Sequence, residues 1–338
     1  MNAVAGTPNG LWDRVRLYVR FTRPFTLLPP TLGVISGAVT AFGSAANPDP
    51  ARAVTLSVVL TVILGSACAA LLNAASNGIN QIYDLEIDRV NKPTRPLVTG
   101  AISVRAAAWY SAVLYVAALV PTWLVVVYPF TALAEKLHAP VGHHETFFIY
   151  LVGLLFTFIY SAPALGRTKR LGMWANWTIA IPRGCLLKVA GWSMCASVLH
   201  VEPWYIGSIF LLFLVGAATT KDFSDMAGDK AGGCDTLPIR YGVKKAAWII
   251  TPFFVFPWLL IPLGVWLKNP WEGHAFLTGN PVALTILGVG LTVWGAYTSW
   301  LMIRKPEELA TTENHISWTH MYLMMMAAQV GFLVSYII

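Results

Sequence analysis

Two acidic segments hold the side chains whose types and spacing are best suited to chemistry. The first has an asparagine and two aspartates four residues apart, and the second has three aspartates spaced by three and four residues. Residues at these intervals lie on one face of a helix, so each segment is predicted to present its side-chain oxygens together. The six residues are Asn80, Asp84, Asp88, Asp222, Asp225 and Asp229.

Clustered carboxylates repel each other and are costly to bury near a bilayer, so a positive charge must compensate them. Mg²⁺ prefers oxygen ligands and is usually held by one or two carboxylates together with substrate phosphates. Basic residues adjoin both segments, with Lys92 and Arg95 after the first and Lys221 and Lys230 around the second. This combination fits a magnesium-bridged diphosphate.

Composition indicates that these segments belong to a membrane protein. Of 338 residues, 56% are apolar or aromatic and only 12% are charged. A water-soluble domain of this length could not cover so much apolar surface, which excludes the soluble and disordered classes. We therefore expect an integral membrane protein with the lipid bilayer as a partner.

Long continuous apolar stretches, without the alternation of barrel strands, predict an all-α polytopic membrane helix bundle with nine transmembrane helices. Each acidic segment directly follows an apolar helix, which predicts two similar halves. We expect a single integral-membrane domain over residues 1–338. The nine stretches are 27–45, 54–79, 101–128, 146–163, 172–199, 203–220, 246–267, 281–303 and 318–338.

The basic residues predict the orientation of the bundle. Most of the 23 lysines and arginines fall in segments on the same side as the two acidic motifs. The positive-inside rule predicts that this side and the amino terminus are cytoplasmic, and we expect the cell (inner) membrane as the location. The same rule accounts for the net charge of +7, so no nucleic-acid partner is expected. Residues 1–26 show no cleavable signal peptide, and 11–23 are predicted to form an interfacial helix.

At these residues the sequence resembles the UbiA superfamily of intramembrane prenyltransferases, over nearly the whole chain. The first motif of that family is similar to the run from Asn80 to Asp88 and the Lys-Pro-Thr-Arg-Pro loop after it. The second is similar to residues 221–229, followed by Thr-Leu-Pro at 236–238. Two further matches are Tyr160-Ser161-Ala162-Pro163 with Lys169-Arg170, and Arg23-Pro24.

The resemblance implies a nine-helix bundle that moves an isoprenoid chain from an allylic polyprenyl diphosphate to an acceptor, with Mg²⁺ as cofactor. It implies that Mg²⁺ is held by Asn80, Asp84, Asp88, Asp222, Asp225 and Asp229, of which the catalytic set is Asp84, Asp88, Asp225 and Asp229. It implies that the diphosphate is contacted by Lys92, Arg95, Lys169, Arg170 and Lys221.

Breaking the allylic C–O bond leaves a cation-like fragment that needs a dry wall of electron-rich rings. A polar line extends the first motif into the membrane, and Arg183 lies within an apolar helix, where an ionisable residue is a functional candidate. The candidates for stabilising the cation or meeting the acceptor are Asn73, Asn77, Tyr83, Tyr160 and Arg183, with Trp174 and Trp177 as further aromatic candidates.

Several alternatives stay open. An aromatic or quinone-precursor acceptor is the preferred interpretation, and a glycerol-phosphate lipid or a chlorophyll-type pigment is the alternative. A secondary transporter or cation channel would also bury carboxylates, but it would not explain acids clustered at one interface beside a basic loop. A CDP-alcohol phosphotransferase fits poorly, because no Ala-Arg follows Asp225. The loop cluster of His138, His143, His144 and Glu145 is interpreted as solvated, with a metal site as its alternative.

Overall fold

The computed structural model describes residues 10–126 and 130–338; the expectations for residues 1–9 and for 127–128 lie outside these described residues. Across these ranges the chain is helical, with one isolated bridge between Lys268 and Ala275 as its only extended pairing. The α-helices are α1 Leu11–Phe21, α2 Leu28–Gly43, α3 Leu56–Tyr83, α4 Leu85–Asn91, α5 Val104–Leu119, α6 Leu133–Leu137, α7 Glu145–Ser161, α8 Met173–Ala180, α9 Leu187–Trp192, α10 Val201–Ala217, α11 Thr219–Ala231, α12 Leu237–Tyr241, α13 Val243–Ile250, α14 Pro252–Trp266, α15 Pro281–Arg304, α16 Glu308–Thr311 and α17 Ile316–Ile337.

The all-helical membrane class is confirmed, but the count of nine spans is not. Seven helical runs in the described ranges are long and apolar enough to cross a bilayer. The predicted fourth span is α7, which has only 17 residues, and the predicted fifth is interrupted between α8 and α9 by a π-helical turn, Ile181–Leu186. The seven runs are Pro24–Gly43, Leu56–Tyr83, Val104–Leu124, Val201–Ala231, Val243–Trp266, Pro281–Arg304 and Ile316–Ile337.

Helices pack closely where glycine allows their backbones to meet. A Cβ atom on Gly191 of α9 would lie 2.1 Å from the carbonyl oxygen of Val34 in α2, and one on Gly295 of α15 would lie 1.8 Å from that of Phe254 in α14. Such contacts are typical of membrane helices, which associate through small residues because lipid gives little hydrophobic driving force between them.

The first acidic motif spans a break between two helices, whereas the sequence predicts one continuous stripe. α3 ends at Tyr83 and α4 begins at Leu85, with Asp84 between them at φ −99° and ψ 14°. The hydrogen bonds from Asp84 N to Asn80 O (2.9 Å) and from Asp88 N to Asp84 O (2.8 Å) persist across the break. The motif residues therefore stay on adjacent turns, but α4 can tilt away from α3.

A helix, α1, occupies Leu11–Phe21, where the sequence predicts an interfacial helix. Leu11 and Trp12 are about three-quarters exposed, at 76% and 75%, while Phe21 at the other end is buried in a small core cluster. An amphipathic helix with exposed apolar side chains is suited to the boundary of a bilayer.

The histidine cluster is only partly solvated, because His138 and His143 are exposed as the sequence predicts, whereas His144 is buried and Glu145 is half-buried. The ring of His144 is fully buried and stacks on Trp123, with Nδ1 2.8 Å from the Trp123 carbonyl oxygen. Glu145 accepts hydrogen bonds from the Ser197 hydroxyl and the Val198 amide. These side chains are occupied in joining loops, which gives them a structural role.

Candidate active site

Both acidic motifs face one cavity of about 770 Å³. The first motif reaches it from the α3–α4 junction and the second from α11, so residues far apart in sequence share one wall. All six motif residues line the cavity: Asn80, Asp84, Asp88, Asp222, Asp225 and Asp229. The convergence expected from the sequence is therefore present.

Basic side chains neutralise the first motif. Asp84, which is 2% exposed, accepts from Arg167 Nη2 at 3.1 Å and from Lys169 Nζ at 2.5 Å. Asp88 pairs with Arg95 from the loop that follows α4. Burial raises the pKa of Asp88, and the Arg95 guanidinium opposes that shift.

The second motif shares one of these cations, Lys169. Lys169 Nζ is also 3.7 Å from Asp229 Oδ1, so one ammonium lies between carboxylates from the two motifs. Burial alone would lower the pKa of Lys169, but the neighbouring Tyr160, Asp84 and Asp229 raise it above its ordinary value. The charged form of this lysine is therefore the one that the site stabilises.

Asp225 and Asp222 differ in their partners. Lys92 Nζ lies 3.5 Å from Asp225 Oδ1 and 2.7 Å from Glu313 Oε1, at the mouth of the cavity. The carboxylate of Asp222 has no hydrogen bond or ion pair with any residue in 10–126 or 130–338. It is therefore the motif acid most available to a cation from outside the protein.

The donor set fits Mg²⁺ in the company of a diphosphate. Within the described part of the chain, no three carboxylates, histidines or cysteines converge closely enough to hold a metal alone. Mg²⁺ does not need such a cage, because it uses one or two carboxylates and completes its octahedron with phosphate oxygens and water. The ammonium between Asp84 and Asp229 shows that these two motifs already accommodate a shared positive charge.

Most of the other predicted site residues also line this cavity. Lys92, Arg95, Lys169 and Lys221 are on its wall, as the sequence predicts for a diphosphate site, and so are Tyr160 and Arg183. Asn73 and Asn77 line it too, but their amides donate to the Thr26 and Thr22 carbonyl oxygens at 3.0 and 2.9 Å. These two asparagines therefore also anchor the segment that leads into α2.

Four predicted residues lie away from the cavity wall. Tyr83, the last residue of α3, is 37% exposed, and Arg170 is exposed beside Gly233. Trp174 is 68% exposed, and Trp177 of the same helix does not line the cavity either. Proximity to a motif in sequence does not fix the side of the helix on which a residue lies.

The structure adds three charged residues to the expected set. Arg167 pairs with Asp84, Glu313 pairs with Lys92, and Arg23 lines the cavity with a left-handed backbone at φ 57°. The sequence signal for Arg167 is its position two residues before Lys169. That for Arg23 is the Arg-Pro pair before the first apolar stretch. Glu313 has no such signal.

Comparisons with known proteins agree with this geometry. Digeranylgeranylglyceryl phosphate synthase of Thermococcus kodakarensis is 28% identical over 300 residues, covering 86% of this chain and 88% of that protein. Probable homogentisate phytyltransferase 1 of Oryza sativa subsp. japonica is 27% identical over 327 residues, covering 89% and 74%. A solved UbiA homolog from Archaeoglobus fulgidus bound to GPP and Mg²⁺ has the same fold, with a TM-score of 0.66, 19% identity, and coverage of 95% and 100%.

A match to the UbiA prenyltransferase family extends over residues 27–311, from the residue before α2 to the last residue of α16. That range includes both acidic motifs and every basic residue paired with them. On this match, the chain belongs to the UbiA prenyltransferase family and is a membrane-embedded transferase of prenyl groups.

Proposed function

We propose that this protein transfers the prenyl chain of an allylic polyprenyl diphosphate to an aromatic quinone precursor, with Mg²⁺ as cofactor. The observation that carries the proposal is the single cavity in which two acidic motifs meet a set of lysines and arginines. The Archaeoglobus homolog was solved with GPP and Mg²⁺, which supports the same donor class and cofactor here.

The basic side chains would bind the leaving group. Lys169 and Arg95 now donate to motif carboxylates, and the same N–H groups are suited to donate to diphosphate oxygens. Their charge would then stabilise the negative charge that develops as the allylic C–O bond breaks. Mg²⁺, held by Asp84, Asp88, Asp225 and Asp229 with Asn80 and Asp222, would supply further positive charge to the departing diphosphate.

The rest of the cavity suits the organic fragment. The ring of Tyr160 lines the wall near the acids, and its face would stabilise an allylic cation. Apolar residues line the inner part and would keep water away from the reacting carbon. They include Leu72, Ile149, Phe156, Leu214 and Met321.

Arg183 is the candidate contact for the acceptor. Its side chain is exposed to the cavity, and no residue in the described ranges makes a hydrogen bond or ion pair with its guanidinium. The π-helical turn that carries it is a feature often found at functional sites. A free guanidinium would hold an acceptor carboxylate or carbonyl oxygen.

Three acceptor classes are supported by relatives. The rice relative is named as a homogentisate phytyltransferase, which favours an aromatic acceptor and is the class we propose. The Thermococcus relative is named for digeranylgeranylglyceryl phosphate, which favours a glycerol-phosphate lipid as the second candidate. Chlorophyll synthase of Oryza sativa subsp. japonica, 28% identical over 284 residues, makes a pigment acceptor the third class to test.

The proposed location is the cell membrane, with the cavity mouth at the cytoplasmic side. The support is the cluster of basic residues around that mouth, which the positive-inside rule assigns to the cytoplasm. A water-soluble diphosphate head could then enter from the cytoplasm while the prenyl tail stays among apolar side chains.

The test uses purified protein in detergent or liposomes with a radiolabelled prenyl diphosphate and three acceptors: an aromatic acid, a glycerol-phosphate lipid and a chlorophyllide. We expect label to appear in the aromatic product with Mg²⁺, to stop with chelator and to return when Mg²⁺ is restored. Transfer to the glycerol-phosphate lipid alone would show that this lipid, and not an aromatic compound, is the acceptor. Ion or solute flux without transfer to any acceptor would favour the transporter alternative.

A further inference from the structure

The two acidic motifs are held together by direct contact between α4 and α11. Gly228 of α11 and Gly232, which caps the end of that helix, lie four residues apart and therefore on one face. A Cβ atom on Gly228 would lie 2.4 Å from the Asn91 side chain, and one on Gly232 would lie 2.3 Å from the Ile87 side chain. Side chains of α4 thus lie directly against the backbone of α11.

Asn91 makes two hydrogen bonds across this contact. Its amide nitrogen donates to the backbone oxygen of Asp225 at 2.9 Å, and its side-chain oxygen accepts from the backbone N–H of Gly228 at 2.9 Å. Both groups of one planar amide are therefore used on a single turn of α11. This fixes the distance and the orientation of that turn relative to α4.

Asn91 lies close to residues of both acidic motifs, so its contact can affect how the motifs are placed. It lies three residues after Asp88 and directly before Lys92. The turn of α11 to which it hydrogen-bonds runs from Asp225 to Gly228, the residue before Asp229. The ion pairs between the motifs involve groups that would exchange partners when a diphosphate binds. The Asn91 amide carries no charge and bonds to backbone, so its contact can persist through that exchange.

We propose that Asn91 is a positioning residue that sets the separation of the two Mg²⁺-binding motifs. The inference rests on the proposed function, since it concerns the site where Mg²⁺ and diphosphate would bind. It predicts that loss of the Asn91 amide weakens divalent-cation binding while the protein remains folded. Residues that orient metal ligands typically change metal affinity or activity by about 10- to 100-fold when removed.

The test compares Asn91→Ala with Asn176→Ala. Asn176 of α8 is a matched control, because its buried amide also joins helices, donating to Val215 O of α10 at 2.7 Å and to Thr219 Oγ1 of α11 at 2.6 Å. It makes no contact between α4 and α11, and it does not line the cavity. We expect Asn91→Ala to raise the half-saturating Mg²⁺ concentration for transfer by about tenfold or more. We expect Asn176→Ala to lower the Tm and leave that concentration unchanged.

Binding is measured separately from turnover by titrating Mn²⁺ into protein with inorganic pyrophosphate and following free Mn²⁺ by electron paramagnetic resonance. We expect Asn91→Ala to weaken this binding by a similar factor. Wild-type Mn²⁺ affinity and wild-type Mg²⁺ dependence in a folded Asn91→Ala protein would overturn the inference. If the wild type binds Mn²⁺ with pyrophosphate but transfers no prenyl group, the proposed function fails while the positioning role is still tested.

A second variant, Gly228→Ala, keeps the inference testable if Asn91→Ala does not fold. It also tests whether Gly228 and Asn91 act together. Gly228→Ala would push its new methyl group into the Asn91 amide, so we expect it to shift Mg²⁺ dependence in the same direction. In the double variant Asn91→Ala/Gly228→Ala the clash is gone. The change in half-saturating Mg²⁺ concentration in the double variant should therefore not exceed the larger of the two single-variant changes. Additive shifts would mean that the two residues act independently, and would contradict the proposed contact.

Discussion

At the scale of single residues, the site is built on lysines and arginines shared between acids. Asp84 is almost fully buried, yet it receives both Arg167 and Lys169, and Lys169 also reaches Asp229. A buried carboxylate without such partners would be strongly disfavoured. The pairs therefore compensate the charge of the buried carboxylates, and they also keep their donors beside the place where a diphosphate would bind.

Replacing one motif carboxylate tests this arrangement. Asp84→Asn keeps the shape of the side chain but removes the charge that compensates Arg167 and Lys169. We expect prenyl transfer at saturating Mg²⁺ to fall by about 100-fold or more, as for loss of an electrostatic contact to a transition state. The measurement is the initial rate with labelled donor, with size-exclusion chromatography in detergent to show that the protein is folded.

Asp235→Asn is the matched control for that change. Asp235 also pairs with an arginine, Arg240, but the pair is exposed and lies away from the cavity. Its removal should leave the rate within about twofold, because exposed ion pairs contribute little. If Asp84→Asn transfers prenyl groups as fast as Asp235→Asn does, Asp84 has no role in the reaction.

The sequence predicts the acids of this site better than their neighbours. Spacing alone brings each aspartate set to one helix face, and the resemblance assigns Lys92 and Lys169 to the same cavity. Arg167 and Glu313 escape prediction because their partners, Asp84 and Lys92, lie more than 80 residues away in sequence. Tyr83 shows the opposite error, since it adjoins Asp84 yet points outward.

At the scale of elements, two irregular points shape the cavity. α3 ends at Tyr83, directly before Asp84, and the helix from Met173 to Trp192 contains the π-helical turn that carries Arg183. Pro182 in that turn provides no backbone N–H, which is a physical reason for the local change of hydrogen bonding. Apolar periodicity indicates that these helices exist, but a break depends on packing against neighbours that the sequence pattern does not specify.

The short segment between α15 and α17 reaches back over the cavity mouth. Glu313 in this segment binds Lys92 at 2.7 Å, and Lys221 lies 4.0 Å away. The hydrogen bond and charge of Lys92 lower the pKa of Glu313, so this contact is kept at neutral pH and lost as the pH falls through that lowered pKa. In the proposed function, the carboxylate would therefore compete with an incoming diphosphate for the same lysines.

We expect Glu313→Gln to lower the KM for the prenyl diphosphate, because Lys92 loses its competing anion. The effect should be no more than about fivefold, since an exposed ion pair is worth at most about 1 kcal/mol. Initial rates at varied donor concentration and low salt measure it, and the gain should shrink at high salt as screening weakens the pair in the wild type.

Glu308→Gln provides the control within the same segment. Glu308 pairs with Lys305 at 2.8 Å, outside the cavity, so its loss should leave the donor KM unchanged. An unchanged or higher KM for Glu313→Gln would show that Glu313 does not compete with the diphosphate.

At the scale of the whole molecule, exposed apolar side chains mark the surface that meets lipid. Trp109, Val113, Val116 and Val120 recur at helical spacing on the run Val104–Leu124, and each is at least 60% exposed. Such a stripe would be an aggregation risk in water but is the expected surface of a helix in a bilayer. The two acidic motifs and the lysines and arginines paired with them are gathered at one cavity, which distinguishes that end of the bundle from the other.

That separation leads to a prediction about orientation, which cysteine labelling can measure. The four native cysteines are all buried, so single cysteines can be introduced at exposed sites at the two ends of the bundle. Glu86→Cys, beside the first motif, should react with a membrane-impermeant maleimide only from the cytoplasmic side of sealed vesicles. Trp271→Cys, in the loop after α14 and 76% exposed, should react only from the opposite side. Labelling of both from one side would contradict the proposed orientation, because the charge bias would then not govern insertion.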